Sequence, residues 1–413
     1  MSTTTRAFLV AAVLFWLTAF EALLGAGGGA DAAGPHRGHH RIQCCRAGAS
    51  GAPECRVKTR RACRRTGGVD MGPGTCNPKP CAASPSPTST TSTSSTTTSS
   101  TPDSSTTSSS TTTVPSTTTT TSTTVPPCGT FLLEWGAPLA SANGELNSPD
   151  GVAIDGIGNV YVADSANHRI QKFDANGAFL TAWGSLGSGD GQFSFPSGVA
   201  TDGSGNVYVV EFDKPRIQKF DASGTFLTAW GSEGSGNGQF GRYVAPLGVA
   251  TDESGNVWAA DPVNSRILKF DASGTFLTAW GSYGQGEGQF IQPYGVAINA
   301  SGNVYVTEPS AQRVQKFDAS GTFLTAWGRE RAAGEFANPS GVATDGSGNV
   351  YVADTYNHRV QRFDASGTFL TAWGSLGSSN GEFAYPYGVA TDGSGHVYVA
   401  DANNNRIQKF TCP

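Results

Sequence analysis

Asn159-Val-Tyr-Val-Ala-Asp164 returns five times, as Asn206-Val-Tyr-Val-Val-Glu211, Asn256-Val-Trp-Ala-Ala-Asp261, Asn303-Val-Tyr-Val-Thr-Glu308, Asn349-Val-Tyr-Val-Ala-Asp354 and His396-Val-Tyr-Val-Ala-Asp401. The steps between copies are 47, 50, 47, 46 and 47 residues. So constant a period marks an array of one supersecondary unit and has to be read before any local motif. Each copy holds four short runs of strand character. In the second they are Gly198-Val-Ala-Thr-Asp202, Asn206-Val-Tyr-Val-Val-Glu211, Arg216-Ile-Gln-Lys-Phe-Asp221 and Thr225-Phe-Leu-Thr-Ala-Trp230. Asp202-Gly-Ser-Gly205 joins the first two and Asp221-Ala-Ser-Gly224 the last two; in such turns Asp bonds its own downstream backbone and Gly accepts positive φ. Four antiparallel strands per unit, six units and no helical periodicity predict an all-β fold, a six-bladed β-propeller over 128–413.

The ends of the repeat region predict how the ring closes. The last copy stops at Arg406-Ile-Gln-Lys-Phe-Thr411 and lacks a fourth strand, whereas Gly129-Thr-Phe-Leu-Leu-Glu-Trp135 precedes the first copy and matches Gly224-Thr-Phe-Leu-Thr-Ala-Trp230. The N-terminal strand is therefore expected to complete the last blade. In that register Cys412 and Cys128 fall on neighbouring positions of a third-to-fourth-strand turn, which predicts a disulfide in place of the missing peptide link.

Asp164-Ser-Ala-Asn-His168-Arg169-Ile-Gln resembles the signature of the NHL repeat and recurs as Asp354-Thr-Tyr-Asn-His358-Arg359-Val-Gln, with near matches at Asp261 and Asp401. The resemblance covers Cys128 to Pro413. Two copies depart from it: those at Glu211 and Glu308 lose the Asn and His but keep an acid and the Arg. The retained pair points to a structural role, an ion pair across the turn between second and third strands in every blade. The family resemblance implies binding of protein, sugar polymer or, in cytoplasmic relatives, RNA.

The first third of the chain reads differently. Residues 1–33 carry Arg6, an apolar run from Ala7 to Leu24 and small residues around Ala30-Asp-Ala32, the pattern of a cleaved export signal. Residues 34–83 hold Cys44, Cys45, Cys55, Cys63, Cys76 and Cys81, a small module expected to be stapled by three disulfides whose pairing sequence does not choose. Residues 84–127 are almost entirely Ser, Thr and Pro and are read as a disordered stalk, a candidate for O-glycosylation. Charge is segregated too. From Gly34 to Ala82 there are ten basic residues against Glu54 and Asp70, a net +8, and from Cys128 onward 16 basic against 27 acidic, a net −11. The basic module suits anionic envelope polymers, and the acidic propeller repels nucleic acid. The expected location is secreted, extracellular or at the cell surface (the periplasm in a Gram-negative cell), with no integral membrane segment and a monomeric state.

The chain carries few residues suited to catalysis. The channel mouth should be lined by the residue between Pro and Gly before each first strand: Asp150, Ser197, Leu247, Tyr294, Ser340 and Tyr387. One acid and no imidazole make a poor Zn²⁺ or Ca²⁺ site, so no metal and no cofactor are expected. His168 and His358 fall in peripheral turns, where capping or surface roles are expected. The fourth-strand tryptophans read as packing between blades, and the Asp-x-Ser-Gly turns as turns. No nucleophile elbow or phosphate loop is visible.

Symmetry locates the function. Phe-Asp-Ala-Ser-Gly-Thr-Phe-Leu-Thr-Ala-Trp-Gly recurs unchanged at Phe220, Phe270, Phe317 and Phe363, whereas catalysis requires distinct residues in distinct roles, so function is expected where the copies differ. They differ on the top, the face carrying the inter-blade loops: Phe195, Arg242, Tyr243, Tyr294, Arg329, Glu330, Arg331, Tyr385 and Tyr387. Aromatics mixed with Arg are the composition of binding hot spots. The expectation is a non-catalytic scaffold for a protein or carbohydrate ligand; the alternative is a divergent metal-dependent lyase or lactonase with its site in the central channel.

Overall fold

The computed structural model describes residues 41–47, 53–59, 69–70, 127–136, 141–241, 247–328 and 334–413. The export signal, the stalk up to residue 126, Arg242, Tyr243, Arg329, Glu330 and Arg331 lie outside the described residues, as does the cysteine pairing of the basic module. Within that module, strands Arg41–Ala47, Pro53–Thr59 and Val69–Asp70 form a small antiparallel sheet with the first strand in the middle.

Residues from Cys128 onward form six four-stranded antiparallel sheets, a six-bladed β-propeller as the repeat predicts. The second strand, such as Val160–Asp164, is buried along its whole length in blades one to five and from Val397 onward in blade six, because neighbouring strands flank it and neighbouring blades cover both faces; a continuous Val-Tyr-Val-Ala run suits that environment better than an alternating one. The fourth strand, such as Phe226–Trp230, is the outer edge and is only partly covered. First strands of successive blades touch in a closed circle around the channel. In blades three and four that strand shortens to Val249–Thr251 and Val296–Ile298, against Pro149–Ile154 in blade one.

Packing between blades repeats one device. The fourth-strand Trp of each blade lies against the Gly of the third-to-fourth turn in the next. Gly224 holds φ +89°, and a Cβ there would come within 2.5 Å of Trp183, so the turn needs Gly for its backbone and for the indole. Trp183 also contacts Tyr161 and Phe220 at ring separations of 6.2 and 5.8 Å. The tryptophans are inter-blade packing, as the sequence reading expects.

The circle closes at blade six. Thr130–Trp135 pairs antiparallel with Arg406–Thr411, Phe131 facing Phe410 and Trp135 facing Ile407. Cys128 and Cys412 form the expected disulfide across 284 residues. Lys409 adds a bond from its ammonium to the Ala175 carbonyl of blade one at 3.0 Å.

Candidate functional site

On the top, each acid that ends a second strand is paired with the Arg that begins the third, in all six blades, at 2.5–3.1 Å. Each acid is fully buried. In blade four Glu308 accepts from Arg313, from the Gln315 side-chain amide at 2.8 Å and from the Ile291 backbone N–H at 2.8 Å. The Arg313 guanidinium donates onward to the carbonyls of Gln285, Gly286 and Gln289 at 3.0, 3.2 and 2.7 Å. One carboxylate thus ties two strands to the preceding inter-blade loop. Charge-assisted bonds of this kind are what fix irregular backbone on the top face.

The two histidines of the full signature act on the same loops. Each ends a single turn of 3-10 helix in the left-handed region, with φ 56° at His168 and 54° at His358. Nδ1 of His168 accepts the Phe195 backbone N–H at 3.1 Å, and Nδ1 of His358 accepts that of Tyr385 at 3.2 Å. Phe195 and Tyr385 stack edge-on against those imidazoles at 4.5 and 4.7 Å. Burial holds both histidines below their ordinary pKa, consistent with a neutral ring that accepts at Nδ1. Tyr356 continues the patch: it meets Tyr385 at 5.8 Å and 90° and is 46% exposed.

Asp150, Ser197, Leu247, Tyr294, Ser340 and Tyr387 follow one another around the channel mouth. Each of its six residues turns its carbonyl onto the glycine of the preceding blade: a Cβ at Gly151 would reach within 2.6 Å of Ser197 O, and one at Gly388 would strike the Asp150 carbonyl, which closes the ring. Ser197, Leu247 and Ser340 are buried, while Asp150, Tyr294 and Tyr387 keep partial access to solvent. Blades one and four face each other, and Tyr294 reaches across the channel to place its hydroxyl 3.5 Å from Asp150 Oδ1, a long and weak contact. Burial pushes the Asp150 carboxyl up to about 7, opposed only in part by that hydroxyl. Burial and the facing Asp150 charge raise Tyr294 and Tyr387 above the ordinary phenol range.

On the bottom, the third-to-fourth turn opens on Asp in five blades, and in the sixth the Cys128–Cys412 closure takes its place. In Asp221-Ala-Ser-Gly the carboxylate accepts the backbone N–H groups of Ser223 and Thr225 and the Ser223 hydroxyl, which lowers it to about 2. Turn formation accounts for these acids, as the sequence reading expects. Among the described residues no group of three or more His, Cys, Asp or Glu is placed to hold a metal, and no helix is long and apolar enough to cross a membrane.

The sequence pattern of the NHL repeat matches residues 146–173, 336–363 and 383–410, each span running through a second strand, its ion-pair turn and the third strand. The chain carries NHL repeats in a six-bladed β-propeller. No curated protein matches it. Similar solved structures include a Bacteroides thetaiotaomicron protein of unknown function, 21% identical, covering 69% of this chain and 74% of that one with a TM-score of 0.50. A streptogramin B lyase is 15% identical, covering 70% and 100% with a TM-score of 0.50, and a Xanthomonas campestris gluconolactonase is 15% identical, covering 70% and 99% with a TM-score of 0.49. At these identities the likeness concerns the fold alone.

Among the described residues of this propeller, the expected top-face residues fall into two groups. Tyr294 and Tyr387 join Asp150 at the mouth. Phe195 and Tyr385 are anchored on histidines with φ of 54° and 56°, so part of their role is to hold loops. Sequence reasoning missed Tyr356, which it left inside the repeat signature, and the approach of Tyr294 to Asp150, 144 residues apart.

The raised Asp150 pKa has a measurable consequence. The unfolded chain releases this proton near 3.8 and the folded chain near 7, so Asp150 favours the folded state fully below about pH 4, and that contribution is lost as pH rises through about 7. Asp150→Asn is expected to stabilise the protein by on the order of 3 kcal/mol at about pH 8 and to be near neutral at about pH 4. Urea titrations at the two pH values measure this, and equal effects at both would contradict the desolvated carboxylate.

Proposed function

We propose that this NHL-repeat propeller is a non-catalytic binding scaffold, exported from the cell, that recognises a protein or glycan through its top face. The observation that carries the reading is a break in symmetry. Four blades share one identical turn-and-strand string, and the ion-pair hubs repeat in all six, yet Tyr356 and Asp150 have no like residue in the other blades, Tyr385 is matched only by Phe195, and Tyr294 and Tyr387 share one position in blades four and six alone; together they make an aromatic and acidic strip on one face. Exposed aromatics on a rigid support are the residues that carry binding energy in interfaces. The basic segment 34–82, at +8, supplies attachment to anionic envelope polymers through the Ser/Thr-rich stalk.

Capture of extracellular material on the immobilised full chain, followed by titration of the captured ligand against Tyr294→Ala/Tyr356→Ala/Tyr387→Ala, tests the reading. A loss of affinity of about thirtyfold or more is expected, the effect of a single hot spot or greater; unchanged affinity in a folded variant rejects the top face. The metal-dependent lyase or lactonase reading would place its ion in the channel, where the mouth offers one carboxylate beside hydroxyls and phenols, a donor set ill suited to Zn²⁺. Elemental analysis of chain purified without chelators is expected to give well below one equivalent of any transition metal or Ca²⁺, and about one tightly held equivalent per chain would restore that reading.

A further inference from the structure

The bottom of the propeller shows what this chain does with an acid beside an aromatic ring. Asp155 accepts the Tyr161 hydroxyl, and Lys172 completes the group, 3.8 Å from the carboxylate and 4.9 Å from the ring centroid. Asp252 and Trp258 hold Lys269 in the same way, at 3.3 and 4.2 Å, and Asp345 and Tyr351 hold Arg362 at 3.8 and 5.6 Å. The acid neutralises the cation, the ring face adds a cation–π contact, and neither is left desolvated and alone.

The mouth repeats the first two members of that group without the third. Asp150 stands opposite Tyr294 and beside Tyr387, on strands that are neighbours across the blade six to blade one junction. The titratable groups that face it among the described residues are these two phenols, and neither supplies positive charge. The other mouth residues are Ser197, Leu247 and Ser340, all buried. What a ligand meets on entering is therefore one carboxylate between two phenol rings. Its strongest contact among the described residues is the weak one to Tyr294, and a cation brought within reach would restore the full group.

We propose that the channel mouth is a receptor for one alkylammonium group, the side chain of a lysine displayed by a protein partner. This rests on the top-face reading and narrows it: the ligand is a protein, and a basic residue enters between Asp150, Tyr294 and Tyr387. The acidic propeller, at −11, attracts such a partner before contact.

The test follows the Asp150 carboxyl by ¹³C NMR in the full chain, with Asp150→Asn identifying the resonance. The probes are Nα-acetyl-lysine N-methylamide, its Nε-acetylated counterpart and choline. The expected result is a free-chain midpoint near the neutral value given above, lowered by about one unit or more by the lysine amide. The acetylated probe should leave it unchanged and choline should act more weakly, while Asp150→Asn weakens the lysine amide about tenfold or more. Tyr294→Phe keeps the ring and is expected to retain the response. A free-chain midpoint near 4, an unmoved midpoint, equal action of the acetylated probe, or stronger action of choline would each overturn the lysine site. None of these outcomes touches the top-face reading, which the triple alanine variant decides separately.

Discussion

Replacing both ring-closing cysteines, Cys128→Ser/Cys412→Ser, is expected to lower stability by about 5 kcal/mol, the largest effect of any single bond in the propeller. The bridge closes a loop of 284 residues, and the chain-entropy estimate rises with loop length to about that value. For a domain of this size the thermal midpoint should fall by about ten degrees or more. Other contacts at the junction limit the damage. The ladder from Thr130 to Trp135 remains, as does the ion pair of Arg406 with Glu134 at 2.5 Å, so the variant should still fold. Its weak point becomes the first strand, which detaches before the rest because nothing covalent now holds it beside Arg406–Thr411. Thermal melts of full chain and variant without reductant measure the effect, and midpoints within about two degrees of each other would mean that the strand ladder alone closes the ring.

Arg313→Met is expected to cost about 3 to 5 kcal/mol, for a different reason. Arg313 is 4% exposed and Glu308 wholly buried, so deleting the cation leaves a charge with no counter-ion in a low-dielectric setting. It also takes one donor from each of the carbonyls of Gln285, Gly286 and Gln289, of which Gln289 keeps the Gln315 side-chain amide and Gly286 the Gln289 backbone N–H. The double variant Glu308→Gln/Arg313→Met removes the stranded charge and should recover a large part of the loss, a coupling that a surface ion pair would not show. Urea unfolding with an unchanged slope is the appropriate measurement; a cost below about 1 kcal/mol for the single variant would place this pair among weak surface interactions. Arg359, the most exposed of the six at 31%, should cost less when treated the same way.

The parts of the structure set by local chemistry were open to reading from the chain. Asp-x-Ser-Gly turns bounding β-branched runs announce strands and hairpins, and their period counts the blades. The unmatched Gly129–Trp135 run and the truncated last copy identified the closing strand, because a propeller with a free edge would expose a ladder. The acid–Arg pairs were visible as residues retained where the Asn and His were lost. The loop carbonyls that each Arg also binds were not, since backbone acceptors carry no residue signature. Phe195 and Tyr385 were read as free hot spots, although each follows a histidine by 27 residues, His168 and His358, in the two copies with the full signature. That coincidence was the available signal for the stacking. Asp150 and Tyr294 meet only because three blades separate them in a ring of six, a relation that exists after closure and not before.

The mouth, the top-face strip and the cation site all depend on that closure, since losing or adding a blade would move Tyr294 away from Asp150. Peptide mapping of the full chain under non-reducing conditions tests it most directly. Our account predicts one linked peptide pair containing Cys128 and Cys412 and no other partner for either. A bridge from Cys128 or Cys412 to any of the six cysteines between Cys44 and Cys81 would contradict it.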